Sequence, residues 1–247
     1  LGRVLEELDD IPNSLDAYKA DEPSESYLAA QQRIIYLLLT QKNRSEDTTH
    51  FDTQRIEHPN LAIQLYLIET ESLASNNQVE MAWLRINQAL DSFADDPSLL
   101  YTRAMIAEKR NDLQQLEQDL RLIIQRNPNN AMALNALGYT LADRTDRLEE
   151  ARQLIEQAHE LEPNDAAITD SLGWVYYRLG DLVTAERLLR EAFASFADAE
   201  VAAHLGEVLW LQNKHSEARK IWNKALKIQP KDAVLLETIQ RLTQQEP

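Results

Sequence analysis

The sequence predicts an all-α solenoid of stacked helix hairpins, and three observations carry that reading. Leu-Gly pairs recur at Leu137-Gly138, Leu172-Gly173 and Leu205-Gly206, with the glycines 35 and 33 residues apart, the period of a two-helix repeat. Alanines follow each pair at Ala151, Ala185 and Ala218, and again seven residues on at Ala158, Ala192 and Ala225. Two helical turns separate the members of each alanine pair, so they share a face. A small residue on the first helix opposite two small residues on the second is expected to let the helix axes approach closely. Proline closes two of the three units, at Pro163 and Pro230, with Ala197 in the equivalent place between them. A proline there forces a turn, because it lacks an amide donor and disfavours helix in the residue before it.

The elements follow in order. Residues 1–27 read as a partial repeat, with Leu1-Gly2 and Leu5 in a first helix and a partner helix from about Pro12 to Lys19. Segments 28–61, 62–96 and 97–130 are degenerate repeats. The first has the apolar run Ile34 to Leu39 and ends at Pro59, but its polar stretch from Gln41 to Glu57 shows no clear helical pattern. The second keeps Ala82 and Ala89 without a Leu-Gly pair, and the third has Ala104 at the glycine position, Leu116 and Ile123 for the alanines, and Pro128 at its end. Clear repeats occupy 131–165, 166–198 and 199–232, the first with one extra residue around Arg144-Thr145-Asp146-Arg147. Residues 233–247 are expected to form a capping helix, with Val234, Leu235, Ile239 and Leu242 covering the apolar face of the last hairpin. One elongated solenoid, in place of two globular domains, follows from seven or so such pairs.

Local chemistry agrees with the period. Gly180 falls between the helices of its repeat, where a residue past a helix end adopts positive φ. Asp181 is placed to cap the next helix, Asp146 with Glu149 has capping-box spacing, and Asp165 and Asp232 precede further helices.

Composition removes several classes of function. Lys plus Arg number 25 against 41 Asp plus Glu, a net charge of −16 that repels nucleic-acid phosphates and anionic membrane surfaces over roughly a Debye length of 8 to 10 Å. No apolar run approaches the roughly 20 residues of a membrane span. The chain contains no cysteine, so disulfides and thiolate metal sites are excluded, and either cytosol or periplasm is compatible. All five glycines are assigned to the repeat, which leaves none for a phosphate-cradling loop. Among the five histidines, His204 shares a helix with Glu200 and Glu207, and a solvated face is the expected reading over a metal site. Acidic doublets such as Asp95-Asp96 and Glu149-Glu150 fall at turns and helix starts, where they complement the helix dipole. We therefore expect no catalytic residues, metal or cofactor. The chain opens without Met or a signal segment and within a helix, so a fragment of a longer repeat protein is expected, with a native C-terminus.

These positions resemble the tetratricopeptide repeat, a 34-residue helix-turn-helix unit that stacks into a right-handed superhelix. The matching residues are Leu134, Leu137-Gly138, Leu141, Ala151, Ile155, Ala158 and Pro163, then Thr169, Leu172-Gly173, Tyr176, Ala185, Leu189 and Ala192, then Ala202, Leu205-Gly206, Leu209, Ala218, Trp222, Ala225 and Pro230. The resemblance implies a concave surface lined by first helices. On that surface it places Tyr101, Met105, Asn135, Tyr139, Asp170, Trp174, Tyr177, Arg178, Glu207 and Trp210. Aromatic rings dominate the set, the residue types most enriched at binding hot spots. Trp174 and Trp210 are expected to be exposed there, and Tyr176, Leu209 and Trp222 to lie in the core. The Lys and Asn clamp with which one class of these repeats grips a terminal carboxylate is absent: the equivalent positions hold Asn135, Asp170, Tyr139, Trp174 and Glu207.

Residues 131–243 are similar, more specifically, to proteobacterial tetratricopeptide lipoproteins of the outer membrane, those of pseudomonads in particular, that bind and activate a periplasmic carboxyl-terminal processing protease. That likeness implies a non-catalytic scaffold on the periplasmic face of the outer membrane, lipid-anchored through an upstream segment. It would present substrates, including cell-wall hydrolases, to a serine protease. Alternatives are the regulatory repeat domain of an envelope metalloprotease and an assembly factor for a secretion or pilus system; a cytoplasmic location also remains open.

Overall fold

A computed structural model describes residues 1–20, 26–40 and 44–243, and the side chains of all of these except 44–48. Every regular element among the described residues is helical. In order they are α1 (Gly2–Glu7), α2 (Ile11–Lys19), α3 (Tyr27–Thr40), α4 (Arg44–Glu57), α5 (Ala62–Ser75), α6 (Val79–Ser92), α7 (Pro97–Lys109) and α8 (Leu113–Arg126). There follow α9 (Ala131–Arg144), α10 (Leu148–Leu161), α11 (Ala166–Arg178), α12 (Leu182–Ser195), α13 (Ala199–Leu211), α14 (His215–Leu226) and α15 (Ala233–Thr243). A 3-10 turn, Pro59–Leu61, joins α4 to α5. The helices gather into two compact units, Leu1–Ile123 and Ile124–Pro247.

The polar stretch from Gln41 to Glu57 is a helix from Arg44 onward, which corrects the sequence reading; Gln41 to Asn43 lie outside the described residues. Two residues explain it. Phe51 is fully buried, and the Arg55 guanidinium donates to Glu69 at 2.7 Å and to Asp52 at 2.5 Å while stacking over Tyr66. One ring and one buried ion pair anchor a helix whose remaining face is polar. In the same unit Arg103 grips the buried Asp119 through two bonds of 2.8 and 2.7 Å, bridging α7 and α8.

The glycine positions of the second unit are tight, but for a reason the spacing did not give. A Cβ added at Gly138 would stand 2.5 Å from Ile155 Cγ1, and one at Gly173 would stand 2.6 Å from Leu189 Cγ. At Gly206 it would collide with the Trp222 indole. Each glycine therefore faces the large residue between the two alanines, and at Gly138 the backbone of the first alanine as well, with Ala151 O 3.0 Å from such a Cβ. Ala151, Ala158, Ala185, Ala192, Ala218 and Ala225 flank that contact and are completely or almost completely buried.

Turn chemistry repeats as faithfully as packing. Gly180 has φ of 89°, and Asn77, Asn111 and Asn213 hold the same place in their hairpins with φ near 60°. In each case the next amide bonds back five residues: Gln78 to Leu73, Asp112 to Ala107, Asp181 to Tyr176 and Lys214 to Leu209, all at 2.8–2.9 Å. This is the Schellman closure, which favours glycine, asparagine or aspartate because these enter the left-handed region at small cost; Asp9, with φ of 59°, closes α1 in the same way as the Asp10 amide bonds to Leu5 at 2.9 Å. The α9–α10 turn, with its extra residue, departs from it: Thr145 is extended and α10 begins after Arg147, which makes no side-chain cap. The capping box expected from Asp146 and Glu149 is thus not formed. Asp165, Asp181 and Asp232 do accept amides of the helices they precede.

The last helix packs Leu235, Ile239 and Leu242 onto the cluster centred on α13. Val234, expected on that face, is half exposed instead.

Candidate functional site

The first helices of the second unit carry most of the residues singled out from the sequence. Asp170, Trp174, Tyr177 and Arg178 share α11, where spacings of three and four residues put the first three on one face. Tyr139 comes from α9 and Glu207 from α13. The structure joins them through a residue the sequence reading had left on a solvated face. His204 is buried on α13, its Nδ1 2.9 Å from Asp170 Oδ2 and its ring stacked on the Trp174 indole with centroids 4.2 Å apart. Tyr139 approaches the same imidazole at 6.1 Å between centroids and donates its hydroxyl to Glu200 at 2.8 Å. Tyr177 packs against Trp174 at 4.8 Å and donates to Glu207 at 2.9 Å. The second oxygen of Glu207 accepts from Arg241 on α15 at 2.5 Å. Arg178 donates to the carbonyls of Ala142 and Asp143, tying the end of α11 to α9.

Electrostatics follow from this wiring. Burial pushes the Tyr177 hydroxyl up to about 12, with help from the Glu207 carboxylate, and burial followed by Glu200 raises Tyr139 further. Both phenols are therefore neutral donors at physiological pH. Burial opposes the charge of His204, but the Asp170 carboxylate, seconded by Glu200 and Glu207, outweighs it and raises the imidazole above its ordinary value. Two polar atoms of the network find no hydrogen-bond partner among the described residues: Asp170 Oδ1, an acceptor, and Trp174 Nε1, a donor.

Exposure of the two tryptophans differs from expectation. Trp174 is only 8% exposed and Trp210 7%. Trp210 belongs to the hairpin core, stacked on His215 at 4.1 Å and on Trp222 at 5.4 Å, with Arg219 over its ring. Asp170 and Glu207 are buried too, whereas Asn135, Tyr139, Tyr177 and Arg178 are partly accessible. Trp222 and Leu209 are core residues, and Tyr176 is half buried with its hydroxyl on Glu156. In the first unit Tyr101 and Met105 line a hollow of about 180 Å³ with Glu71, Ala74 and Lys109. The sequence reading missed His204, Glu200 and Arg241 as partners. The available signal was the buried pairing demanded by Asp170 on an otherwise apolar helix face.

Comparison with known proteins agrees with this architecture. Residues 171–233 match the family model of the tetratricopeptide repeat. A TPR repeat-containing protein of Pseudomonas aeruginosa is 54% identical over 207 residues, which cover 84% of this chain; the chain spans only 35% of that relative's length. Among solved structures, a tetratricopeptide repeat protein from Parabacteroides merdae aligns over 98% of this chain and 96% of its own, with a TM-score of 0.71 and 17% identity. PilW, a widely conserved type IV pilus biogenesis factor, aligns over 71% of this chain and 81% of its own, with a TM-score of 0.61 and 17% identity. The helix hairpins of this chain have the fold of the tetratricopeptide repeat proteins, and residues 171–233 carry the repeat itself.

Proposed function

We propose that the chain is a non-catalytic adaptor whose α9, α11 and α13 face holds a segment of a protein partner. The observation that carries this reading is the pair of unpartnered groups on α11, Asp170 Oδ1 and Trp174 Nε1, together with the unpartnered Asn135 Oδ1 on α9, on a face whose other polar side chains are cross-linked by hydrogen bonds. A buried polar group without a partner costs on the order of 1–3 kcal/mol. A polypeptide offers an N–H and a C=O at every residue, so a docked segment can supply the missing donor and acceptor once the surrounding rings shift. Tyr139 and Tyr177, already rigid through their carboxylate bonds, would bury area against it at small entropic cost.

The finer reading is that the partner is a periplasmic carboxyl-terminal processing protease, which the chain binds, activates and supplies with substrates such as cell-wall hydrolases. In that reading the chain is part of a lipoprotein at the periplasmic face of the outer membrane. Its support is the pattern of residues 131–243 and the 54% identity to a Pseudomonas TPR repeat-containing protein. The likeness to PilW, at 17% identity, is one of fold and favours no pilus role.

Titration calorimetry of the purified chain with such a protease, beside an assay of its peptidase rate, tests both levels. Binding with raised activity supports the adaptor reading, and Asn135→Ala with Tyr177→Phe should weaken it at least tenfold. No binding by the native chain would remove the protease as partner. Native affinity in the double variant would remove the α11 face as the site.

A further inference from the structure

The last hairpin reverses the charge of the chain. Residues 214–231 hold six cationic side chains, Lys214, Arg219, Lys220, Lys224, Lys227 and Lys231, against one acid, Glu217, in a protein of net charge −16. Three of the six serve the fold: Lys214 pairs with Glu186 at 2.6 Å, Arg219 lies over Trp210, and Lys224 lies over the Phe193 ring at 4.9 Å. Lys220, Lys224, Lys227 and Lys231 keep solvent exposure, the first two one turn apart on a face of α14 and the last two in the turn that follows its end at Leu226. The repeat does not impose these lysines. Equivalent positions on α12 and its following turn read Arg187, Glu191, Ala194 and Asp198, and on α10 Gln153, Gln157, Glu160 and Asn164. Like charges four residues apart destabilise a helix. The helix dipole offsets that for Lys224 near the C-terminus, but it does nothing for Lys231 beyond it.

Apolar side chains stand beside the lysines. Ile228, between Lys227 and Lys231, is 62% exposed, and Phe196 at the end of α12 is 61% exposed. Their two turns adjoin, because Gln229 accepts from the Ala199 amide at 2.8 Å and donates to Asp198 at 3.3 Å. Of the neighbouring acids Glu217 is paired with Arg190, whereas Asp198 and Asp232 accept neutral amides, from Gln229 and Leu235, and keep their charge, which the lysines outnumber. Protein interfaces are depleted in lysine and enriched in Tyr, Trp and Arg. The edge has the opposite composition, four lysines with two protruding apolar tips, which suits a diffuse anionic surface that an apolar tip can enter.

We propose that this edge, independently of the α11 face, docks onto an anionic phospholipid bilayer. The lysines contact headgroup phosphates while Ile228 and Phe196 reach the headgroup–acyl boundary. The acidic remainder of the chain does not prevent this, since charges more than about 8 Å from the surface are screened at physiological ionic strength.

The test is co-sedimentation of the full chain with vesicles of phosphatidylglycerol in phosphatidylcholine, beside phosphatidylcholine alone. Binding should require the anionic lipid and weaken with added salt. Each lysine removed should lower partitioning about fivefold, so Lys220→Gln, Lys227→Gln and Lys231→Gln together should lower it roughly a hundredfold with an unchanged melt. Ile228→Ser should weaken it further. Failure to bind, equal binding to both vesicle types, or full binding by the triple variant would overturn the proposal. So would capture of duplex DNA or an acidic polypeptide by these lysines with vesicles left unbound.

Discussion

His204 Nδ1 lies 2.9 Å from Asp170 Oδ2, joining the first helices of consecutive repeats through a buried pair stacked on Trp174. Because the folded imidazole titrates above its ordinary value, the pair's stabilisation is complete below about pH 6.5, the unfolded value. It is lost as pH rises through the raised folded value. The melting temperature of the native chain should therefore fall on going from slightly acidic to alkaline buffer. His204→Gln should be less stable at pH 6 and should lose that part of the slope; an unaltered slope would mean that Asp170 does not hold the proton on His204.

His50 predicts the opposite slope on the other side of neutrality. Burial, then the nearby Lys19, lowers its pKa to about 4, and its Nε2 contacts Gln31 Oε1 at 2.7 Å. The folded state favours the neutral ring, so its contribution is full above about pH 6.5 and declines as pH falls toward 4. His50→Gln should flatten the acid limb of the stability profile and leave the alkaline limb alone, as urea melts across that range would show.

Gly173→Leu should be severely destabilising, by about 1–3 kcal/mol or more, since even a Cβ would meet Leu189 at 2.6 Å. Gly206→Ala should also unsettle the hairpin, because the obstacle is the indole of Trp222, itself buried against Trp210. A double change, Gly206→Ala with Trp222→Leu, should recover part of the loss. Denaturant midpoints that leave the single variants at native stability would show that the close approach is not real.

Gly180→Asn should be nearly neutral and Gly180→Val costly. No atom crowds a Cβ at Gly180, so the penalty is purely conformational. Asparagine already occupies the equivalent place at Asn77, Asn111 and Asn213, whereas a β-branched residue resists the left-handed region by about 1–2 kcal/mol. Thermal melts of the two variants separate this from any packing role.

The hairpin period, the buried alanines and the positive φ at Gly180 were legible because each is a local rule repeated at fixed spacing. The helix through Phe51 was not, since one buried ring and the Arg55–Glu69 pair stabilise a stretch whose own pattern is polar. The face of α9, α11 and α13 was legible in its membership but not in its wiring. Periodicity assigned Trp210 to a surface, yet α14, the second helix of its own hairpin, supplies Trp222 and His215 to cover it. It likewise left His204 solvated, because the carboxylate that draws it inward lies one repeat away.

Trp174 is where that difference has the largest consequence. As an exposed hot-spot ring it would be removable at little cost to the fold. With 8% exposure, His204 stacked on its indole and Tyr177 at 4.8 Å, it is instead a buried aromatic, whose truncation to alanine typically costs about 3–5 kcal/mol. Trp174→Ala should accordingly lower the denaturant midpoint sharply. It should also leave the His204–Asp170 pair without its lid, abolishing the pH slope above 6.5. Trp174→Phe makes the sharper comparison, since the indole Nε1 bonds nothing among the described residues and its removal forfeits no hydrogen bond. The phenyl variant should retain most of the stability and the pH slope. If partner binding is then weakened, the indole N–H is used in the complex; a phenyl variant as unstable as the alanine variant would mean that ring shape, not burial, governs this position.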